Sequence, residues 1–290
     1  LKVVKKPSAV ILASSLLERF SSFVVYAILA REFGKATLGE FNYYFTSGQI
    51  AASIFAVGGD IYITKRIHDP TREFNFWSAI AAKFFLFAIV LVAWASVSLS
   101  PYVVLMGFAF FFDAVVFTQK AIMINAGKHI SYGMRTAVEK IILVAFVAIN
   151  AASVKIVALV YLTWTLSKVV SITFSWRETI SSVPKKNRGK IEYSAIKEFI
   201  VGGLSYSLHG ILVILFGRMM VPLMKHTGFS YEHISSYSSM LNVIATTAII
   251  PQAFFSTYFP QVTAAWAKGD LSKVDSILQE RSKQMLLISG

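Results

Sequence analysis

The chain has no cysteine in 290 residues, which excludes disulfides, thiolate metal sites and a cysteine nucleophile. It has no Gly-x-x-x-x-Gly-Lys-Ser/Thr loop, so it does not hydrolyse ATP by the phosphate-loop route. A His-Glu-x-x-His zinc motif and a Gly-x-Ser-x-Gly nucleophile elbow are also missing. Charge is scarce, at 15% of residues against about a quarter in a soluble domain. No polar loop is long enough to hold a glycosyltransferase domain. No cofactor is expected.

Hydrophobic residues fill the space that charge leaves. They make up 56% of the chain, and the mean hydropathy is +0.62. A membrane-spanning helix needs about 20 mainly apolar residues. Stretches of that kind lie at 8–30, 39–63, 75–98, 101–124, 135–151, 154–176, 197–222 and 234–259, and a ninth begins near Gln284. The fold class expected is an all-α, polytopic transmembrane helical bundle. The N-terminal stretch has a basic flank but is too long for a signal-peptide core, so it reads as a signal-anchor helix.

Lysine and arginine alternate between rich and poor loops. Lys2 to Lys6, Lys65 to Arg72, Lys120 to Arg135, Arg177 to Lys197 and Lys268 to Lys283 fall on one side; Arg31, Lys35, Lys155 and Lys225 fall on the other. The positive-inside rule then places the N-terminus in the cytoplasm. The net charge of +13 would suggest nucleic acid in a soluble protein. Here it is confined to loops, where it sets topology and meets anionic lipid, so no nucleic-acid partner is expected.

The longest polar segment, containing Val183-Pro184-Lys185-Lys186-Asn187-Arg188-Gly189-Lys190, divides the chain. The expected organisation is a first six-helix lobe over 1–180, a basic cytoplasmic linker over 181–196 and the start of a second lobe over 197–290. Paired helical bundles with a path between them are a common transporter plan. On that plan about four helices of the second lobe would follow Gly290, and Leu1 would be an alternative start or a truncation.

Several polar residues fall inside the apolar stretches, where they face a bundle interior or a wet cavity unless they reach an interface. Glu18 and Arg19 lie about 16 Å into the first stretch, near mid-bilayer, and point about 100° apart. Arg19 is suited to hold a pyrophosphate oxygen by paired hydrogen bonds, or else to form an ion pair with a neighbouring helix. His209 lies at similar depth in the seventh stretch, as a proton carrier or a satisfied core residue. Arg218 lies on roughly the opposite face, lining a cavity or anchoring at headgroups. Asp113 must be protonated, paired or part of a cation site. Lys83, Lys140 and Lys168 are its candidate partners, with snorkelling to the cytoplasmic interface as the competitor.

Some of these residues carry a family resemblance. Ala30-Arg31-Glu32-Phe33-Gly34, continuing to Leu38-Gly39-Glu40-Phe41, resembles the A-R-x-x-G-x-x-x-x-G-x-F stretch of polysaccharide flippases, within the multidrug/oligosaccharidyl-lipid/polysaccharide exporter superfamily. Gly58-Gly59-Asp60 with Lys65-Arg66-Ile67 is similar to that family's ending of the second helix. Pro251, Phe259-Pro260-Gln261 and Ala267-Lys268-Gly269-Asp270-Leu271 are similar to its stretch after the eighth helix. Lys35-Ala36-Thr37 and Ser236-Tyr237 depart from the pattern.

The resemblance implies a transporter of twelve to fourteen helices in the bacterial cytoplasmic membrane. It would move an undecaprenyl-pyrophosphate-linked oligosaccharide by alternating access, for cell-surface polysaccharide synthesis. The expected substrate-binding residues are Arg19, Arg218, Lys140 and Lys168; the expected ion-coupling residues are Glu18, Asp113 and His209. No catalytic or metal-binding residue is expected, and no enzymatic activity. The implied partners are the anionic lipid-linked oligosaccharide, membrane lipids, a proton or sodium ion, and a polysaccharide polymerase with its chain-length regulator. The rival readings are a cation-coupled multidrug antiporter of the same superfamily and a membrane-embedded polymerase or ligase.

Overall fold

The structure is a computed structural model that describes residues 6–69, 74–97, 100–184, 187–246 and 249–289, with backbone alone at 6–8, 59–60, 97, 209, 245–246, 249–257, 281 and 284–289. Every regular element among the described residues is a helix. In chain order these are α1 (Lys6–Ile28), a π turn (Leu29–Phe33), α2 (Lys35–Phe55), α3 (Gly59–His68), α4 (Phe76–Val97), α5 (Pro101–Asn125) and α6 (His129–Ser153). They continue as α7 (Val157–Ser182), α8 (Tyr193–Arg218), α9 (Met220–His226), α10 (Tyr231–Thr246), α11 (Ile249–Ala267) and α12 (Leu271–Ser289).

Among the described residues five helices are long and apolar enough to cross a membrane: α1 with its π turn, α4, α5, α6 and α7. A sixth is α8, if its two arms, bent by 43° between Leu208 and Gly210, form one span. The chain is a helical, multi-pass membrane protein. Helical spans are the form that satisfies every backbone N–H and C=O without water.

Local chemistry sets the breaks. Ser100 caps α5 by accepting a hydrogen bond from the Tyr102 amide at 3.3 Å, and Pro101 takes the first helical position, where its missing N–H costs nothing. The expected span 39–63 is two helices. Gly58 adopts φ +81°, a left-handed conformation open to glycine, and α3 starts afresh at Gly59. The expected span 234–259 is divided between α10 and α11. The region expected to open a ninth span at Gln284 is already helical from Leu271, behind an Asp270 cap whose carboxylate accepts the Lys273 amide at 3.0 Å.

Helices α1, α2 and α4 to α7 pack around an aromatic centre. Phe41, Tyr161 and Trp164 are buried there, and the Tyr102 and Tyr161 rings stack at 4.6 Å between centroids. The main partners are α5 with α7, α1 with α6, and α6 with α7. The later helices lie against this group: α10 runs along α2, α8 crosses α2 and α4, and α11 lies on α1. The polar connection between α7 and α8 is pinned to the start of α4. Asn75 Nδ2 donates to the Lys190 carbonyl at 2.8 Å, and Ser78 Oγ accepts from the Glu192 amide at 3.1 Å.

Candidate functional site

The inward stripe of α1 reads Ile11, Ser14, Glu18, Ser21, Val25 and Leu29, a heptad-like spacing that keeps one face on α6. All are buried except Glu18, whose side chain is 49% exposed. The Glu18 carboxylate therefore stays accessible on a face whose other members are buried.

Beneath Glu18 lies a network of charges. Glu139 on α6 is its centre. Oε1 accepts from Lys140 Nζ at 2.7 Å and lies 2.8 Å from Lys168 Nζ. Oε2 accepts from Arg135 Nη1 and from Ser171 Oγ, both at 3.3 Å. Lys168 on α7 also reaches Asp113 Oδ1 on α5 at 2.5 Å. Lys140 lies 3.8 Å from Glu18 Oε1. Arg135, Glu139, Lys140 and Lys168 are buried, whereas Glu18 and Asp113, with 23% side-chain exposure, form the accessible rim. Three cations meet three carboxylates, so the cluster is neutral when all are ionised. A buried network of this kind is tolerated only because each charge has partners in good geometry.

Snorkelling therefore loses as the account of the lysines. Lys140 and Lys168 point inward, and Lys83, 0% exposed, donates to the Ala114 carbonyl at 3.0 Å. Pairing within the network takes up the two expected substrate-binding lysines. Asp113 finds its partner in Lys168, as one of the pairings open at the level of sequence.

Sequence reasoning placed Arg135 among the loop charges, but it is buried and hydrogen-bonds Ser171 Oγ at 3.0 Å. The signal for it was present. Arg135 and Glu139 are four residues apart, and the same stripe continues through Leu143 and Val147, both buried.

Arg19 and Arg218 lie elsewhere. Arg19 shares its α1 face with Tyr26, seven residues on, and turns away from Glu18. Arg218 shares its α8 face with Gly203 and Ser207, which touch the first group of helices at Gly58. Nη1 of Arg218 donates to Asn242 Oδ1 on α10 at 3.2 Å, and Asn242 lies beside Tyr26. Arg19 and Arg218 lie within like-charge repulsion of each other, with Tyr26 and Tyr237 beside Arg218. No carboxylate among the described residues forms an ion pair with either guanidinium. The His209 side chain lies outside the described residues; its position in the chain is the bend of α8.

The molecule thus holds two electrostatically different places. One is a neutral, internally paired network in α1, α5, α6 and α7. The other holds Arg19 on α1 and Arg218 on α8, with no carboxylate paired to either among the described residues. Among the described residues no group of three or more His, Asp or Glu is placed to hold a metal. Comparison of the chain with protein-family models, curated proteins and solved structures returns no match.

Proposed function

We propose that this protein is a flippase that carries an undecaprenyl-pyrophosphate-linked oligosaccharide across the bacterial cytoplasmic membrane by alternating access, with its N-terminus in the cytoplasm. One observation carries the reading: Arg218 on α8 lies within like-charge repulsion of Arg19 on α1, and no carboxylate among the described residues forms an ion pair with either. Two like charges held together cost energy that a bound dianion removes. A pyrophosphate offers oxygens to both guanidiniums in fork geometry. A cationic drug would meet the opposite field, which disfavours the antiporter reading.

The headgroup would bind at the arginine pair while the lipid tail stays in the bilayer through a gap between the helix groups. Glu18 and Asp113, the accessible carboxylates of the network, are the places for a coupling proton or sodium ion. Release of either carboxylate from its lysine changes the balance of a buried cluster, which ties ion occupancy to helix packing. Lipids and the downstream polymerase with its chain-length regulator complete the set of partners.

The test uses the full-length gene in its native host. The gene is deleted and complemented with wild type, Arg19→Ala, Arg19→Lys or Arg218→Ala at equal expression. Surface polysaccharide and inner-leaflet lipid-linked intermediate are then measured. The expected result is trapped intermediate in the deletion and in both alanine variants, with partial recovery by Arg19→Lys. Unchanged surface glycan with raised drug sensitivity would replace this reading by the antiporter.

A further inference from the structure

The two ends of the contact between the helix groups are built differently. At the end nearer the N-terminus, α3 and α8 are joined by polar bonds. The Gly58 amide donates to Ser207 Oγ at 2.7 Å, Arg66 pairs with Glu198, and Lys65 Nζ donates to Tyr206 Oη at 2.8 Å. At the opposite end α10 rests on α2 through a bare backbone contact. A Cβ built on Gly39 would fall inside the Tyr231 carbonyl group, so no residue with a side chain permits this approach. Around it are aromatic and charge contacts. The Tyr43 and Tyr231 rings lie 6.3 Å apart, Lys225 sits 3.8 Å over the Tyr231 ring, and Glu40 lies within attraction range of Lys225.

The helix that carries Gly39 ends in a break. α2 stops at Phe55, and Ala56, Val57 and left-handed Gly58 separate it from α3. Helix α3 is the segment tied to α8 by the polar bonds. From Gly39 to the break is about 25 Å at 1.5 Å per residue, so a tilt of about 10° there moves Gly39 by roughly 4 Å. That is enough to part it from Tyr231 while the α3–α8 bonds stay made. A van der Waals contact separates without leaving a buried donor unsatisfied, which a broken Gly58–Ser207 bond would do.

We propose that Gly39 is the keyhole of a gate. The N-terminus of α10 closes on α2 at Gly39, and α2 opens it by tilting about the Ala56–Gly58 break while α3 stays latched to α8. The proposal rests on the alternating-access reading and assigns its outer gate. It also gives the second glycine of the Gly34-to-Gly39 spacing a physical role.

The absence of cysteine makes the gate measurable in membranes. Ser238, buried in α10 and near-isosteric with cysteine, is replaced as Ser238→Cys, and its labelling by a membrane-impermeant maleimide is timed. Gly39→Ala and Gly39→Val should raise the labelling rate by about tenfold or more, because overpacking a close contact shifts the closed population by that order. Gly210→Ala is the control, since a Cβ there meets nothing within 4 Å, and should leave the rate unchanged. Equal labelling in folded Gly39→Val and wild type overturns the keyhole. A second arm leaves Gly39 intact. Tyr43→Cys with Tyr231→Cys is joined by a short reducible cross-linker. Loss of surface glycan on cross-linking, restored by reductant, supports the gate. Full cross-linking with normal glycan shows static packing and overturns it. The flippase reading is judged apart from both arms, by whether deletion traps the lipid-linked intermediate.

Discussion

Glu18 and Lys140 face each other at 3.8 Å across α1 and α6, yet Lys140 is buried and half of the Glu18 side chain is exposed. The pair sits at the accessible rim of the neutral network. Glu139, one residue before Lys140, holds the same ammonium at 2.7 Å. Lys140 therefore has an inner partner that keeps it in place and an outer one that can change state.

This asymmetry separates the two carboxylates by experiment. Glu139→Ala leaves Arg135, Lys140 and Lys168 without their common acceptor and should destabilise the protein by about 3–5 kcal/mol. Glu18→Gln removes the longer, exposed interaction and should cost less than about 1 kcal/mol. Thermal unfolding in detergent ranks the two. Equal losses would mean that Glu18 is structural.

Removing an arginine from the pair between α1, α8 and α10 should act in the reverse sense. Arg218→Ala relieves repulsion from Arg19, so the unfolding temperature should hold or rise while transport falls. Export measured beside thermal unfolding checks both. A large fall in stability would identify Arg218 as a packing residue.

One bond of the latch to α8, at the α2–α3 break itself, runs through a single hydroxyl. Ser207 accepts from the buried Gly58 amide and donates to the Gly203 carbonyl at 3.0 Å. Ser207→Ala leaves that amide unsatisfied, at a cost of about 1–3 kcal/mol. Amide exchange at residues 57–60 should speed up. Unchanged exchange would show that the break is held by packing alone.

Asp270 caps α12 outside the membrane, and the Lys273 amide and Ser272 hydroxyl hold its carboxyl below the usual range. A folded-state value below the unfolded one gives support that is full above the unfolded pKa and is lost as pH falls through the folded one. Below about pH 4, near the unfolded aspartate value, amide protection at the start of α12 should begin to fall. Asp270→Asn keeps a capping oxygen and should remove the pH dependence. If Asp270→Asn frays with acid as wild type does, the cap is not the cause.

The membrane class and most helices were legible from the chain because apolar length and loop charge are local properties, each readable within one segment. Apolar length did not reveal the break at Ala56–Gly58, since Gly58 reads as one more small residue until its left-handed φ and its bond to Ser207 are seen. Depth along a helix identified Glu18, Arg19, Asp113, Lys140, Lys168 and Arg218 as residues that need a partner or a cavity. Which need was met depended on direction in space. A 100° step on α1 sends Glu18 to Lys140 and Arg19 to the side of Arg218. Arg135 was lost to the loops, although its four-residue spacing to Glu139 was legible, because only the packing of α6 on α7 buries it and brings it to Ser171. By itself the sequence determined a helical membrane protein with charges at depth. The tertiary structure decided which charges cancel and which stay unbalanced, because pairing is set by distances of a few ångströms between helices far apart in the chain.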